Sequence, residues 1–371
     1  MIIIRTYSEI DKQNWKSLAE TSSFACWFQT DEAYHFYASV SEILPFITAV
    51  ENNGKLRAVC LGYITKETNV IKQYLTCRAI IVGGPLLADD ATDEEVSALL
   101  RAVKECKVES VKCKGAGDEF IDESLKVKGA ENSEADTPAS LLIASSPHRL
   151  MKPIYIESRN FHDYSKWKSV FQANGFTYQP HLNIQVACTA AHAMSEQRQR
   201  QVKKALKNGA LITEAQSEQD IHDWYQILKQ LYRTKVRTPL WSEEFFLQFY
   251  RNGVGKYLLV KYDGKVIGGM MCPVFNNKAI YEWYVCGLDE EYRELYPSVM
   301  ATYAAIEYAK KYKIEMFDFM GAGKPDIPYG VRDFKMEFGG EQVEHGRYVC
   351  VQKPILYRIG KWGVRWLKRN R

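Results

Sequence analysis

No two of the nine cysteines stand in a Cys-x-x-Cys pair, and nine is an odd number. That spacing argues against a structural zinc site. Cys60 and Cys272 sit inside apolar, strand-like runs, where reduced thiols act as small hydrophobes. Long apolar runs are missing too. Nothing approaches the ~20 residues that a membrane-spanning helix requires. The opening Met1-Ile2-Ile3-Ile4 is closed by Arg5, Glu9 and Asp11, unlike a signal peptide. These features predict a cytoplasmic protein. Charge of one sign is scarce: 49 basic residues stand against 45 acidic ones, a net charge of +4. An anionic partner must therefore be met by a local patch. The seven histidines, at 35, 148, 162, 181, 192, 222 and 345, show no metal-ligand spacing. No Ser-His-Asp set can be argued either, and no metal is predicted.

What is present is an internal repeat. Phe46 to Val50 leads through Asn53-Gly54 into Leu56 to Leu61, and Tyr257 to Val260 leads through Asp263-Gly264 into Val266 to Met270. Asn-Gly and Asp-Gly supply the positive φ angles of tight hairpins. A further strand follows in each half, over 69–75 and 279–286. A helix comes next. The first begins at Thr92, with Glu95 completing a capping box and Val96, Leu99, Leu100 and Val103 forming the apolar stripe. The second begins at Pro297, with Val299, Met300, Tyr303 and Ile306 in the stripe. Strands over 153–157 and 315–319 close the two halves. This order predicts a mixed α/β (α+β) sheet flanked by helices in each half. The period is too long for a solenoid and marks a duplicated domain. The predicted domains are 1–190 and 191–371, and 371 residues suffice for both. A polar stretch over 107–152 reads as a loop-like insertion. The bridge from Ser195 to Tyr250 reads as helical, with Ser217 and Ser242 as caps.

Three segments can carry chemistry. The first runs from Asp318 through Gly321-Ala322-Gly323-Lys324 to Tyr329, Arg332, Phe334-Lys335 and Gly339-Gly340. Glycines after a strand admit a ligand to the backbone. Lys324, Arg332 and Lys335 can hold phosphates or an oxyanion. A charged surface loop is the plainer alternative, and the spacing is not that of a P-loop. The second is the basic run from Arg198 to Lys207, with Arg200 and Lys204, closed by Asn208-Gly209. It can meet phosphates or form a solvated helix face. The third is the tail over 355–371, with Ile355, Ile359, Trp362 and Trp366 on one stripe among basic residues. Such a helix lies on an anionic membrane surface or packs on the protein's own body.

The segment Gly330-Val331-Arg332-Asp333-Phe334-Lys335-Met336-Glu337-Phe338-Gly339-Gly340 resembles the Fem family of aminoacyl-tRNA-dependent transferases, which build peptidoglycan cross-bridges. Phe28-Gln29-Thr30 with Tyr34, Gly84-Pro85-Leu86, the run from Arg198 to Gly209, and Asp318-Phe319-Met320-Gly321 are similar to further motifs of that family, in the same order. The resemblance covers nearly the whole chain apart from the insertion. It implies two tandem GNAT-like acyltransferase domains. It also implies transfer of an aminoacyl group from aminoacyl-tRNA to an amine of a peptidoglycan precursor, with no bound cofactor. By this resemblance Lys335 stabilises charge at the reacting ester and Phe334 shapes the cleft. Arg198, Arg200 and Lys204 face phosphates, and Gln29 belongs to an early substrate-binding motif. Asp318 is the candidate base, with a tie to the amides of its own loop as the alternative. Tyr284 and Tyr329 are further cleft candidates by position. Two departures matter. Tyr34-His35-Phe36-Tyr37 lacks the lysine that often helps hold a nucleotide-sugar diphosphate. The turn Arg293-Glu294-Leu295-Tyr296-Pro297 lacks the glycine of a usual acyl-CoA pyrophosphate loop. An acyl-CoA-dependent N-acyltransferase acting on a cell-envelope sugar, lipid or peptide and a catalytically degenerate binding protein of the same fold are the alternatives. The expected location is the cytoplasm, up to the inner face of the membrane.

Overall fold

The structure is a computed structural model that describes residues 1–67, 69–105, 152–189 and 193–369. Apart from Lys152, the insertion predicted over 107–152 lies outside the described residues. Among the described residues the strands are β1 (Ile2–Arg5), β2 (Ile43–Asn52), β3 (Lys55–Thr65), β4 (Ala79–Gly83), β5 (Leu86–Leu87), β6 (Tyr155–Asn160), β7 (Thr177–Gln179), β8 (Leu182–Ala187), β9 (Leu211–Glu214), β10 (Gly255–Tyr262), β11 (Lys265–Phe275), β12 (Ala279–Tyr281), β13 (Tyr284–Gly287), β14 (Met316–Asp318), β15 (Glu341–Glu344) and β16 (Arg347–Val351). They form two sheets. The first runs β1-β2-β3-β4-β6-β16-β7, with β5 on β3. The second runs β15-β8-β14-β12-β11-β10-β9, with β13 on β11. The helices are α1 (Lys12–Thr21), α2 (Asp31–Ser39), α3 (Val70–Thr76), α4 (Asp93–Glu105), α5 (Lys168–Ala173), α6 (Glu196–Lys207), α7 (Glu218–Leu231), α8 (Glu243–Arg251), α9 (Pro297–Lys311), α10 (Gly330–Met336) and α11 (Pro354–Arg369).

The repeat is visible in the backbone. Hairpin β2–β3 turns at Asn53 (φ 50°) and Gly54 (φ 75°), and β10–β11 turns at Asp263 (φ 48°) and Gly264 (φ 73°). Each hairpin carries a register shift three residues before its turn, at Val50/Glu51 and at Val260/Lys261. Each sheet also holds a parallel pair among antiparallel neighbours, β4 with β6 and β12 with β14. The Thr92–Glu95 capping box forms as predicted, with the Thr92 amide donating to Glu95 Oε2 at 2.9 Å and the Glu95 amide donating to Thr92 Oγ1 at 3.3 Å.

Four readings need correction. The strand expected over 69–75 is α3, because the Asn69 side chain accepts from the Lys72 amide and starts a helix. The strand expected over 279–286 is broken at Glu282–Trp283 into β12 and β13. The helical bridge contains strand β9, which pairs with β10. The closing strands span Tyr155–Asn160 and Met316–Asp318, displaced from the predicted bounds by up to three residues.

The sheets do not part at 190/191. Strand β8 lies in the second sheet and β16 lies in the first. Between the sheets is an aromatic cluster. Trp27, Phe28 and Phe36 from the first half meet Phe245, Phe249 and Trp283 from the second, with Phe28 and Trp283 centroids 5.0 Å apart. Trp27, Phe28, Phe36, Phe245 and Phe249 are fully buried. Edge-to-face packing of this kind joins the halves by large apolar area.

Candidate active site

The second half places its glycine loop immediately after β14. Asp318, the last residue of that strand, is fully buried. Its Oδ1 accepts from Asn183 Nδ2 at 2.8 Å and from the Met320 amide at 2.6 Å, and its Oδ2 accepts from Gln185 Nε2 at 2.9 Å. Burial raises its pKa, and the amide donors pull the other way. Met320 adopts a left-handed backbone (φ 57°), which a side chain-bearing residue rarely does. The Asp318 carboxylate thus fastens one side of a strained turn.

Lys335 fastens the other side. Helix α10 carries it inward, and its Nζ donates to the carbonyls of Phe319 and Gly321, each at 2.9 Å. The third partner is Glu282 Oε1 at 2.9 Å, at the break between β12 and β13. An ammonium has three protons, and all three are taken. Glu282 is buried, which raises its pKa, while Lys335 opposes that shift. The break in the strand is what turns Glu282 toward the lysine. A glutamate inside the apolar run Ala279-Ile280-Tyr281-Glu282-Trp283 was the one sequence signal for this partner.

The remaining predicted residues distribute as follows. Arg332 folds back on its own loop, donating from Nε to Ala322 O at 2.9 Å and from a terminal nitrogen to Ile327 O at 3.0 Å and to Lys324 O. Lys324 is exposed on that loop. Tyr329 is also exposed, and its ring lies where a side chain at Gly323 (φ 81°) would begin, 3.0 Å away. Phe334 lies half-buried beneath the Arg198 guanidinium, 4.5 Å from ring centroid to carbon. Arg198 is buried, with its Nε 2.9 Å from Glu337 Oε2. Loop and helix α6 are therefore one assembly. Arg200 pairs with Glu196 and Lys204 with Glu294, both at the surface.

Two predicted residues stand apart from the loop. Gln29 is fully buried in the turn Trp27–Gln29. It donates to Leu61 O at 2.8 Å and Val82 O at 3.0 Å, and accepts from the Leu61 amide at 2.8 Å. It bridges β3 and β4. Tyr284 belongs to the aromatic cluster, 5.1 Å from Phe246 and 6.1 Å from Phe245. The expectations for Lys335 and Asp318 also shift. Both are spent on the turn, for the physical reason that a buried charge is held only where its protons or lone pairs are satisfied.

The start of α9 bears on the donor. A helix N-terminus binds phosphate through free amides. Here the first residue, Pro297, has no N–H. The next amide, Ser298, donates to Asp289 Oδ1 at 3.0 Å, and the Ser298 hydroxyl donates to Asp289 Oδ2. The chain's own carboxylate occupies the place of an anion.

Residues 194–336 match the family model for the acetyltransferase (GNAT) domain. No curated protein sequence matches the chain. Among solved structures, FemX superposes over 97% of this chain and 99% of its own, with a TM-score of 0.64 at 13% identity. L-PGS from Bacillus licheniformis covers 92% of each chain with a TM-score of 0.52 at 11% identity. A tandem GNAT protein from the clavulanic acid biosynthesis pathway covers 94% of this chain and 98% of its own, with a TM-score of 0.51 at 9% identity. Residues 194–336 thus match the GNAT acetyltransferase domain, and nearly the whole chain shares the fold of FemX and of a tandem GNAT protein.

Proposed function

We propose that the protein transfers an aminoacyl group from aminoacyl-tRNA to an amine of a peptidoglycan precursor. The observation that carries the choice of donor is the start of α9, where Pro297 and Asp289 leave little for an acyl-CoA pyrophosphate to bind. A charged tRNA does not need that pocket. Helix α6 supports the same reading, since Arg200, Lys203, Lys204 and Lys207 are exposed along it and suit a phosphate backbone.

In the proposed reaction the acceptor amine attacks the ester carbonyl, a C–N bond forms, the ester C–O bond breaks, and the proton lost by the amine ends on the departing ribose hydroxyl. Acceleration comes chiefly from positioning. Lys335 and Asp318 act as positioning residues that hold the turn Phe319–Gly321, while Phe334, Arg332, Lys324 and Tyr329 shape the cleft wall. The proposed location is the cytoplasmic side of the membrane. Among the described residues no helix is long and apolar enough to cross a bilayer. Helix α11 instead leaves Ile355, Ile359 and Trp362 exposed at 74%, 59% and 69%, as a helix lying on an anionic surface requires. Transfer assays with charged tRNA and with acyl-CoA test the reading. Activity abolished by RNase is expected, and activity with acyl-CoA alone overturns it.

A further inference from the structure

Arg159 and Arg347 are directly opposite each other in the antiparallel pairing of β6 with β16. Like charges facing each other across strands destabilise a sheet. One carboxylate serves both: Glu157 Oε1 lies 2.7 Å from Arg347 and Oε2 lies 3.2 Å from Arg159. Arg347 also donates to His181 Nε2 at 2.9 Å. Burial and the neighbouring Arg347 push the His181 pKa down to about 4, so the ring is neutral and accepts. Among the described residues, two guanidinium charges and one paired carboxylate leave a single positive charge uncompensated.

The Nε atoms of Arg159 and Arg347 are both buried, and among the described residues neither has a hydrogen-bond partner. A buried donor left unpaired is costly, and a donor on a charged group is more so. Yet Arg159 keeps 37% of its side chain exposed and Arg347 keeps 26%, so the pair is reachable from solvent. Both line a cleft with His181, Asn183 and the Met320–Gly321 turn, the turn that Lys335 and Asp318 hold. An uncompensated charge, reachable through the exposed part of the two arginine side chains, therefore borders the candidate active site.

We propose that the Arg159–Arg347 pair is a subsite for a carboxylate group of the acceptor. The single excess positive charge matches one carboxylate, and a phosphate dianion would overcompensate it. Arginine is suited to this because its planar fork matches carboxylate geometry. The proposal rests on the acyl-transfer reading for the word acceptor, and it narrows the substrate to an amine-bearing molecule that also carries a carboxylate, such as an amino acid or a short peptide.

The test is binding rather than turnover. The full-length protein is titrated with N-acetylalanine, N-acetylalaninamide and inorganic phosphate while the His181 ring resonances are followed by NMR. N-acetylalanine is expected to shift them saturably, and the amide to leave them unmoved. Arg159→Gln and Arg347→Gln are each expected to weaken binding at least tenfold with the circular dichroism spectrum unchanged. Should either variant fail to fold, Arg159→Lys keeps the charge without the fork, and a several-fold weakening is expected. Equal shifts from acid and amide, a stronger response to phosphate, or unchanged affinity in the variants overturns the proposal. Failure of tRNA-dependent transfer leaves this result intact. Transfer without carboxylate binding sinks this proposal alone.

Discussion

Lys335 Nζ lies 2.9 Å from Glu282 Oε1, and the two side chains are 10% and 7% exposed. Their positions are 53 residues apart in sequence, so the pair ties α10 to the broken strand in the middle of the second sheet. Breaking a buried pair from one side leaves a buried charge without a partner.

Lys335→Ala is therefore expected to lower stability by about 3–5 kcal/mol, measured by urea unfolding. Removing both charges together in Lys335→Met with Glu282→Leu is expected to restore most of that loss. If the single variant is as stable as the parent, the pair does not hold the turn.

Gln29 makes three hydrogen bonds to the backbone of β3 and β4. Gln29→Ala is expected to cost roughly 1–3 kcal/mol for the groups left unsatisfied. KM for donor and acceptor should stay as they are in the parent. A rise in KM with unchanged stability would show that Gln29 meets a substrate after all.

Stability should fall as the medium becomes acidic. His162 and His181 are both held down to about 4, chiefly by burial. The unfolded chain takes up protons near the ordinary 6.5, before the folded chain does. The contribution is thus complete above that value and is lost as pH falls toward 4. Glu282 and Asp318, raised by burial, act in the opposite direction over the carboxylate range. NMR titration of the two imidazoles checks the premise, and a midpoint near 6.5 for either ring refutes it.

Helix α11 provides a fourth prediction. Sedimentation with vesicles containing anionic lipid is expected to carry the protein down, and neutral vesicles are expected not to. Ile359→Glu with Trp362→Glu should abolish the effect without changing the melting temperature, because both side chains are already in solvent. Loss of melting temperature instead would mean that the stripe packs on the protein.

The parts of the fold legible in the sequence were those with local causes. Asn53-Gly54 and Asp263-Gly264 announced their hairpins through turn chemistry, and Thr92 with Glu95 announced α4. What escaped notice had distant causes. The apolar residues Ile71, Tyr74 and Leu75 suggested a strand, but Asn69 caps a helix and these side chains face outward. At the candidate site, the loop containing Phe334 and Lys335 was readable as a segment. The partners of Lys335 and Asp318 were not, since Glu282, Asn183 and Gln185 come from other strands. Arg159 and Arg347 look ordinary in sequence, and the register of two strands whose paired residues lie 188 to 196 positions apart makes them neighbours.

That same pairing has a consequence for synthesis. Strand β16 sits between β6 and β7, and it leaves the ribosome after every described strand of the second sheet. Until then, among the described strands, β6 has an open edge and β7 lacks a neighbour. Pairings closed over such distances form late, and an uncovered edge invites association with other chains. The nascent first half thus waits, incomplete, for a strand that the second half delivers, and cutting the gene between the repeats would give two pieces that each lack a strand held by the other.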